Sequence, residues 1–234
     1  AGQDCAVEPG ALPGTLTRLG PHQLLWVDVQ ADAAEDRGAQ LAALDLDAPT
    51  RAWLDATDPH PALHRHEQAV HLRVNSLEKG AHHYHAAPVA FVAGRNVVYT
   101  AHDGPARFLD SFRGRLEGDT NLGQLDAAAF LAVVLAHHVE GFVQPLSPIE
   151  DNIDRLDELI LQEPRHGRRH LETLVGLRRR VSELRRLLTA HRPVYVALAS
   201  PDFAVFDHDE PEVVTEIDRR SNDHLVLFVD EHIG

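Results

Sequence analysis

The stretch that most constrains the fold lies between Ser147 and Leu188, where apolar side chains recur at alternating steps of three and four. This spacing places the apolar residues of a segment on one side of an α-helix. Pro164 to Gly167 interrupts the pattern, which predicts two long helices that fold back as a hairpin. Their stripes must be covered by each other or by another subunit. The stripes are Ile149, Ile153, Leu156 and Ile160 on the first helix, and Leu174, Leu177, Val181, Leu184 and Leu188 on the second.

Charge is segregated on this predicted hairpin, since its first helix is acidic and its second is basic. Opposite charges favour antiparallel pairing of the two helices. In a ring of subunits, the acidic helix could instead concentrate hydrated cations. The acids are Glu150, Asp151, Asp154, Asp157, Glu158 and Glu163, and the bases are Arg168, Arg169, Arg178, Arg179, Arg180, Arg185 and Arg186.

Net charge and composition narrow the class of partner. The 234 residues carry a formal net charge of -14 with histidine neutral, which argues against a nucleic-acid interface and favours divalent cations. Cys5 is the only cysteine, so the sequence predicts neither a disulfide framework nor a thiolate metal site. The longest apolar run, Ala127 to Ala136, has about half of the roughly 20 residues that a membrane span needs, and we expect no span here.

The order of the remaining patterns indicates an α+β fold, a sheet covered by helices with a helical extension. Leu24 to Val29 reads as a buried strand, and three strands of a meander follow between residues 67 and 101. In the first of these three, Val70, Leu72 and Val74 alternate with two polar residues, His71 and Arg73. Such alternation predicts a strand with one solvent-facing side.

Six segments, in this order along the chain, resemble the cytoplasmic portion of the CorA family of divalent-cation transporters, including its zinc-transporting ZntB branch. Each segment alone is a common pattern, and their shared order and spacing over residues 24 to 234 carry the resemblance. The segments are LLWVDV, HRHEQAVHLRV, VAFVAGRNVVYTAHDGPARFLDSFRGRL, FVQPLSPIEDNIDRLDELIL, LRRRVSELRRLL and SNDHLVLFVDEHI.

The resemblance implies an α/β/α sandwich around a mixed sheet, followed by a long helical hairpin and the start of a stalk helix. On this basis we divide the chain into a flexible leader (1–23), the sandwich (24–145), the hairpin (146–192) and a loop with a truncated stalk helix (193–234). The resemblance further implies a pentamer on the cytoplasmic side of the bacterial inner membrane. The pore would then lie in membrane helices beyond this sequence.

The same resemblance implies regulatory metal ions, Mg²⁺ or Zn²⁺, held by acids where neighbouring subunits meet. One acid comes from the short helix region before the second strand, where this sequence has Asp55 and Asp58. The other comes from the early stalk helix, where Arg220 stands at the aligned position and Asp223 and His224 lie nearby. Arg220 weighs against a Mg²⁺ sensor, because Mg²⁺ needs oxygen ligands. The alternative is that these are solvated helix residues, with Asp58 as an N-cap.

The 17 histidines suggest a second kind of metal site. Alternation places His83 and His85 on one face of a strand, and His64 and His66 share a face of the neighbouring strand if that strand begins early. Neutral imidazole suits Zn²⁺ better than Mg²⁺, so these pairs could converge on the solvent-facing side of the sheet. The alternative is that they are exposed and bind nothing.

Another two histidines, His137 and His138, lie in a largely apolar helix, where at least one is expected to be a core or interface residue.

Motifs of enzymes are missing from the sequence, which has no Gly-rich phosphate loop, no Gly-x-Ser-x-Gly and no His-Glu-x-x-His. The resemblance implies the regulatory domain of a divalent metal ion transporter, and without such motifs we expect no enzyme. Two alternatives stay open. One is a soluble metal-dependent hydrolase that uses Asp-His strings such as Asp207-His208-Asp209, and the other is a coiled-coil interaction module without a metal role.

Overall fold

A computed structural model describes residues 19–20, 23–31, 34–80, 83–116, 127–162 and 167–198, which form a five-stranded sheet with helices on both faces. The strands are β1 (Leu25–Ala31), β2 (Ala62–His66), β3 (Ala69–Lys79), β4 (Tyr84–Ala93) and β5 (Val97–Asp103). The helices are α1 (Ala34–Ala42), α2 (Ala48–Asp55), α3 (Arg107–Leu116), α4 (Ala127–Val143), α5 (Leu146–Gln162), α6 (Gly167–Thr189) and α7 (Arg192–Leu198).

The sheet is mixed, in the order β1-β5-β4-β3-β2. Strands β2 to β5 pair antiparallel, and β1 pairs parallel with β5, with Leu25 opposite Val97 and Ala31 opposite Asp103. Parallel neighbours need a crossover connection, and here the chain between β1 and β5 contains two helices and three strands. The predicted meander is confirmed as β3-β4-β5.

Each face of the sheet has its own apolar core. On the first face, Leu41 of α1 and Leu54 of α2 pack against β1, β4 and β5. On the second face, α3, α4 and α7 pack against β3, β4 and β5, with Phe91 and Phe112 almost fully buried. Because helices cover both faces, the fold is the α/β/α sandwich that the resemblance implied.

The start of the meander differs from the prediction in two ways. The first strand of the meander does not begin early enough to include His64 and His66, which lie in a separate edge strand, β2, and the chain turns back at Glu67 with a positive φ of 52°. The expected solvent-facing side of β3 is also wrong, because His71 and Arg73 are only 4% and 3% exposed. Trp53 of α2 covers this side, and the Arg73 guanidinium lies 4.2 Å from its ring centre.

The hairpin forms as its apolar stripes predict. Ile149 and Leu156 of α5 and Leu177 and Leu184 of α6 are buried in a common cluster. Ile160, near the tip, is an exception with 38% exposure. The cluster also includes Leu77 and Tyr84, at the ends of β3 and β4, so that the base of the hairpin packs on the sheet.

One further expectation changes at the C-terminal end of the hairpin. Residues 193–198 were expected to lie in a loop, but they belong to α7, whose Val194 and Tyr195 enter the core of the second face. This places the end of the described chain in the sandwich.

The segment Ala127–Ile160 is long and apolar enough to cross a membrane, judged by length and composition alone. Half of its apolar window is buried inside the fold. Phe130, Leu131 and Val134 of α4 are at most 5% exposed and pack against the sheet. A core helix of this kind accounts for the apolar composition without a membrane.

Candidate functional site

The two acids predicted from the family pattern lie near the C-terminal end of α2, and both are close to arginine. Asp55 closes the helix, and its Oδ1 lies 3.4 Å from Nε of Arg37, a residue only 3% exposed. Arg37 also donates to the Asp55 carbonyl oxygen at 2.7 Å and pairs with Asp103. Within one chain the Asp55 carboxylate therefore neutralises a buried cation, which disfavours a second cation beside it.

Asp58 follows α2 and does not cap a helix, contrary to the alternative stated above. Its Oδ1 accepts a hydrogen bond from the His60 backbone N–H at 2.9 Å and lies 2.7 Å from Nδ1 of His60. These bonds lower the pKa of Asp58, and Arg73 lies 3.7 Å from its other oxygen. Metal binding by Asp55 and Asp58 stays a prediction, and it would need ligands from outside this cluster. The partner candidates Asp223 and His224, and Arg220 beside them, lie outside the described residues.

The predicted histidine pairs do not converge. His85 lies opposite Glu78, at one end of β3, whereas His64 and His66 lie opposite His71 and Ala69, at the other end. Seven residues of strand, or roughly 23 Å, separate these ends. His83 precedes β4 and its ring lies 6.3 Å from that of His85.

Four of the six predicted ligands lie in the described part of the chain: Asp55 and Asp58 at the end of α2, and His83 and His85, whose rings are 6.3 Å apart. Within the described part of the chain, no three His, Cys, Asp or Glu side chains converge on a point that could hold a metal ion. The structure instead brings together other polar residues, among them a histidine that the sequence predicts to be in the core.

The first such group joins the hairpin to the edge of the sheet. Strand β2 pairs with β3 only as far as Arg73, so the backbone of Asn75 faces an open edge. His138 of α4 donates from Nε2 to the Asn75 carbonyl oxygen at 2.9 Å. His191, between α6 and α7, accepts from the Asn75 N–H through its Nε2 at 2.9 Å. Two imidazoles therefore take the place of a neighbouring strand.

We name this group the histidine clamp; it consists of Asn75, His138, His191 and Tyr195. Both ring nitrogens of each histidine are hydrogen-bonded. His138 accepts from the Tyr195 hydroxyl at Nδ1, at 2.5 Å, and His191 donates from Nδ1 to the Leu187 carbonyl oxygen at 2.9 Å. The Asn75 N–H can only donate, so His191 accepts at Nε2 and its imidazole is neutral. Burial keeps His138 neutral as well, by lowering its pKa to about 3. The prediction that His137 or His138 is a core histidine is confirmed, since they are 7% and 1% exposed.

Acid should destabilise the fold through this clamp. Burial lowers the pKa of His138 to about 3 and that of His191 to about 4, against about 6.5 in an unfolded chain. The unfolded chain therefore binds more protons below about pH 6.5, and stability falls as the pH decreases from there towards 4. We expect a loss of roughly 1.4 kcal/mol per pH unit for each histidine. Urea unfolding at a series of pH values measures it, and an unchanged free energy between about pH 7 and pH 5 would contradict it.

A second group is a buried polar cluster on the face of the sheet that α3 covers. Asp28 of β1 accepts hydrogen bonds from Thr100 of β5 and from Arg113 of α3, and its Oδ1 lies 3.3 Å from Nε2 of His102. Nδ1 of His102 lies 2.7 Å from the Gly104 carbonyl oxygen. Both nitrogens of His102 face acceptors, an arrangement that favours the doubly protonated ring and raises its pKa.

Charge in this Asp28 cluster is balanced internally. Burial alone would raise the pKa of Asp28, but the hydrogen bond and charge of His102, followed by Thr100 and Arg113, lower it. Burial alone would likewise lower the pKa of His102, and Asp28 raises it. His102 is 2% exposed and Asp28 13%. A sequence signal existed, since Asp28 interrupts the apolar run LLWVDV, but its partners come from distant segments.

The outer surfaces of the hairpin keep the predicted separation of charge. Asp151, Asp154 and Glu158 are exposed on α5, and Arg178 and Arg180 are exposed on α6. An open cleft of about 660 Å³ lies between α6 and the start of β4. It is lined by Tyr84, Leu177, Arg179, Arg180, Glu183 and Arg186, among others.

Comparison with known proteins agrees with this architecture. A family model described as CorA-like Mg²⁺ transporter protein matches residues 21–227. Among solved structures, the complete CorA magnesium transporter of Methanocaldococcus jannaschii superimposes with a TM-score of 0.69 at 14% identity, over 90% of this chain and 65% of that one. The full-length CmaX protein gives 0.67 at 22% identity, over 92% and 66%.

The cytoplasmic domain of ZntB from Vibrio parahaemolyticus RIMD 2210633 gives a TM-score of 0.54 at 14% identity, over 92% of this chain and 83% of that domain. Comparison with curated proteins gives no match. The chain thus spans just under two thirds of the length of the complete transporter and of full-length CmaX. At these identities the structural likeness is one of fold.

Proposed function

Because the chain belongs to the CorA-like Mg²⁺ transporter family, we propose that it is the regulatory domain, on the cytoplasmic side, of a divalent metal ion transporter. Members of this family transport divalent cations and are not enzymes. The observation that carries the proposal is the family match over residues 21–227, which covers the sandwich, the hairpin and the residues after them.

The proposed mechanism is a shift between two arrangements of the subunits. Cation binding at the contacts between subunits would favour the arrangement in which the pore is closed, and the loss of cations would favour the open one. The membrane helices, the pentamer and the bacterial inner membrane as location belong to this proposal. So does the choice of Mg²⁺ or Zn²⁺ as the bound and transported ion.

The histidine clamp supports a mechanical role for the hairpin. It bonds His191, at the base of the hairpin, directly to the backbone of β3. Val194 and Tyr195 then fix α7 in the sandwich core. Before the end of α6, Leu184 packs with Leu77 and Tyr84 of the sheet, so buried contacts lie on both sides of that helix end. A displacement of the sheet would therefore move the base of the hairpin with it.

Ion flux through the full-length gene product tests this proposal. Reconstituted in liposomes with an entrapped indicator, it should admit Mg²⁺ or Zn²⁺ above the rate of protein-free vesicles. Flux should fall when the same ion is added on the side of the regulatory domain. Asp55→Asn with Asp58→Asn should weaken this inhibition several-fold, and the exposed Asp45→Asn is the matched control. Absence of flux for both ions would refute the transporter assignment. If the Asp55→Asn, Asp58→Asn variant is inhibited as strongly as the Asp45→Asn control, the two acids are not the sensor.

The hydrolase alternative rests on Asp207, His208 and Asp209, which lie outside the described residues. No observation in the described part of the chain favours it over the family assignment.

A further inference from the structure

Three histidines lie on one face of the β2–β3 hairpin, on the side of the sheet that α2 covers, and the rings of two of them, His66 and His71, are neighbours. His64 lies directly opposite His71 in the strand register, and His66 is two residues further along β2 on the same face. The rings of His66 and His71 have centroids 5.6 Å apart. Trp53 of α2 lies against the group, 5.3 Å from the ring of His64 and 5.4 Å from that of His71.

His71 is the unusual member of this group. It is only 4% exposed, and its Nε2 is buried without a hydrogen-bond partner. Leaving such a nitrogen unpaired costs roughly 1 to 3 kcal/mol, and buried polar atoms in folded proteins nearly always have a partner. By contrast, His138 and His191 of the histidine clamp have both ring nitrogens hydrogen-bonded. A ligand for this atom is therefore expected from outside the chain.

The spacing of His66 and His71 suits a shared metal ion. A Zn–N bond is about 2.0 to 2.1 Å, so two imidazoles on one tetrahedral ion have ring centroids roughly 5 to 6 Å apart. His66 is half-buried and His64 is exposed, which leaves a route for an ion from solvent. Burial lowers the pKa of His71, and the charge of His66 lowers it further, so the ring is neutral at neutral pH and ready to coordinate.

The surrounding charges act in both directions. The carboxylate of Asp47, at the start of α2, is close enough for His66 and His71 to lower its pKa, after the larger effect of its hydrogen bond with Thr50. It adds a negative charge beside the rings. Arg73 adds a positive one, but its guanidinium is held over Trp53 and also faces Asp58. The two opposite charges offset each other, and both side chains already have partners of their own. The atoms available to bind an ion here are therefore the imidazole nitrogens.

We propose that His66 and His71 form a two-histidine binding site for a borderline transition-metal ion such as Zn²⁺, Ni²⁺ or Cu²⁺. Solvent completes the coordination, and Mg²⁺ is excluded because it requires oxygen ligands. The site differs from the predicted pair His83 and His85, which lies at the opposite end of β3. It does not depend on the transport function, because it is built within one chain and needs no neighbouring subunit.

Fluorescence of Trp53 provides the test. Cu²⁺ or Ni²⁺ bound to His71 would quench this tryptophan, whereas the other one, Trp26, packs with Phe112 and Phe130 on the other face of the sheet. The experiment titrates the untagged chain, with Cys5→Ser to remove the thiol, and then adds Zn²⁺ to compete. We expect saturable quenching. The apparent affinity for the metal ion should be at least tenfold lower in the double variant His64→Ala, His66→Ala. These side chains are exposed or half-buried, so the variant should fold.

The matched control is the double variant His83→Ala, His85→Ala, which should bind like the parent. His71→Gln, checked for folding by its melting curve, should lose the quenching as well. Quenching that survives the loss of His64 and His66, or that disappears in the control, would overturn the assignment. Failure of ion flux in liposomes would leave this result unaffected, because the titration measures binding to the isolated chain.

Discussion

Replacing His191 with alanine should lower the free energy of unfolding by about 3 kcal/mol. The substitution leaves the Asn75 N–H buried without a partner, at roughly 1 to 3 kcal/mol. It also opens a cavity beside His138, whose ring centroid lies 4.9 Å away, which adds a further cost. Because His191 sits between α6 and α7, we also expect faster hydrogen exchange at the end of α6 and at the free edge of β3. Urea unfolding and amide exchange measure the two effects.

His191→Gln separates the hydrogen bond from the volume of the ring. Its side-chain oxygen can accept from Asn75 as Nε2 does, so the loss should be clearly smaller than with alanine. The exposed His85→Ala should change stability by less than about 0.5 kcal/mol. If glutamine and alanine are equally destabilising, the bond to Asn75 does not hold the hairpin to the sheet. Exchange that rises uniformly over the chain would lead to the same conclusion.

Replacing Asp28 with asparagine should cost about 3 to 5 kcal/mol, which is typical when one partner of a buried ion pair is removed. The side chain keeps its size, so the loss reports charge rather than a cavity. His102 and Arg113 would then face each other without the carboxylate. The pKa of His102 should fall, because burial lowers it and Asp28 supplies the largest effects that raise it. Unfolding curves and NMR titration of the His102 ring measure these changes.

The raised pKa of His102 also fixes the sign of its pH dependence. The contribution of His102 to the free energy of unfolding is fully present below about pH 6.5 and is lost as the pH rises through its folded pKa. The histidine clamp has the opposite pH dependence, since it loses stability as the pH falls. In Asp28→Asn the contribution of His102 should disappear. Asp110→Asn is the matched control, since Asp110 pairs with the same Arg113 at 3.5 Å but is about half exposed. It should cost less than about 1 kcal/mol. Equal effects of the two substitutions would contradict the role of Asp28.

Elements with a local signal were predictable. The hairpin stripes and the β3-β4-β5 meander depend on periodicity and on turns, which short stretches of sequence determine. The same reasoning failed at His71 and Arg73, whose alternation with apolar residues looked like a solvent-facing side. Trp53 of α2 covers them, and no pattern within β3 could show that. The loop predicted from residue 193 onwards is wrong at its start because no local pattern shows what packs there. Val194 and Tyr195 are buried in the sandwich core and stabilise a helix at that position.

The candidate sites were harder to predict than the fold. The histidines of the sequence were grouped by their position on strands, which paired His64 and His66 with His83 and His85. The registers of β2 and β4 with β3 separate those pairs by most of a strand. His64 lies opposite His71, and the ring of His71 packs beside that of His66 instead. Asp28 and His191 received no role, because their partners are 72 to 116 residues away in the chain.

The sequence by itself determined the class of fold, the hairpin, the opposite charges of its two helices and the resemblance that the family match confirms. These follow from composition, periodicity and the order of segments, all of which are local or additive along the chain. The tertiary structure alone decided which polar residues are buried together: Asn75 with two histidines, Asp28 with His102 and Arg113, and His66 with His71. Strand register and the covering helices decide those encounters, because a buried polar group is stable only beside the partner that satisfies it.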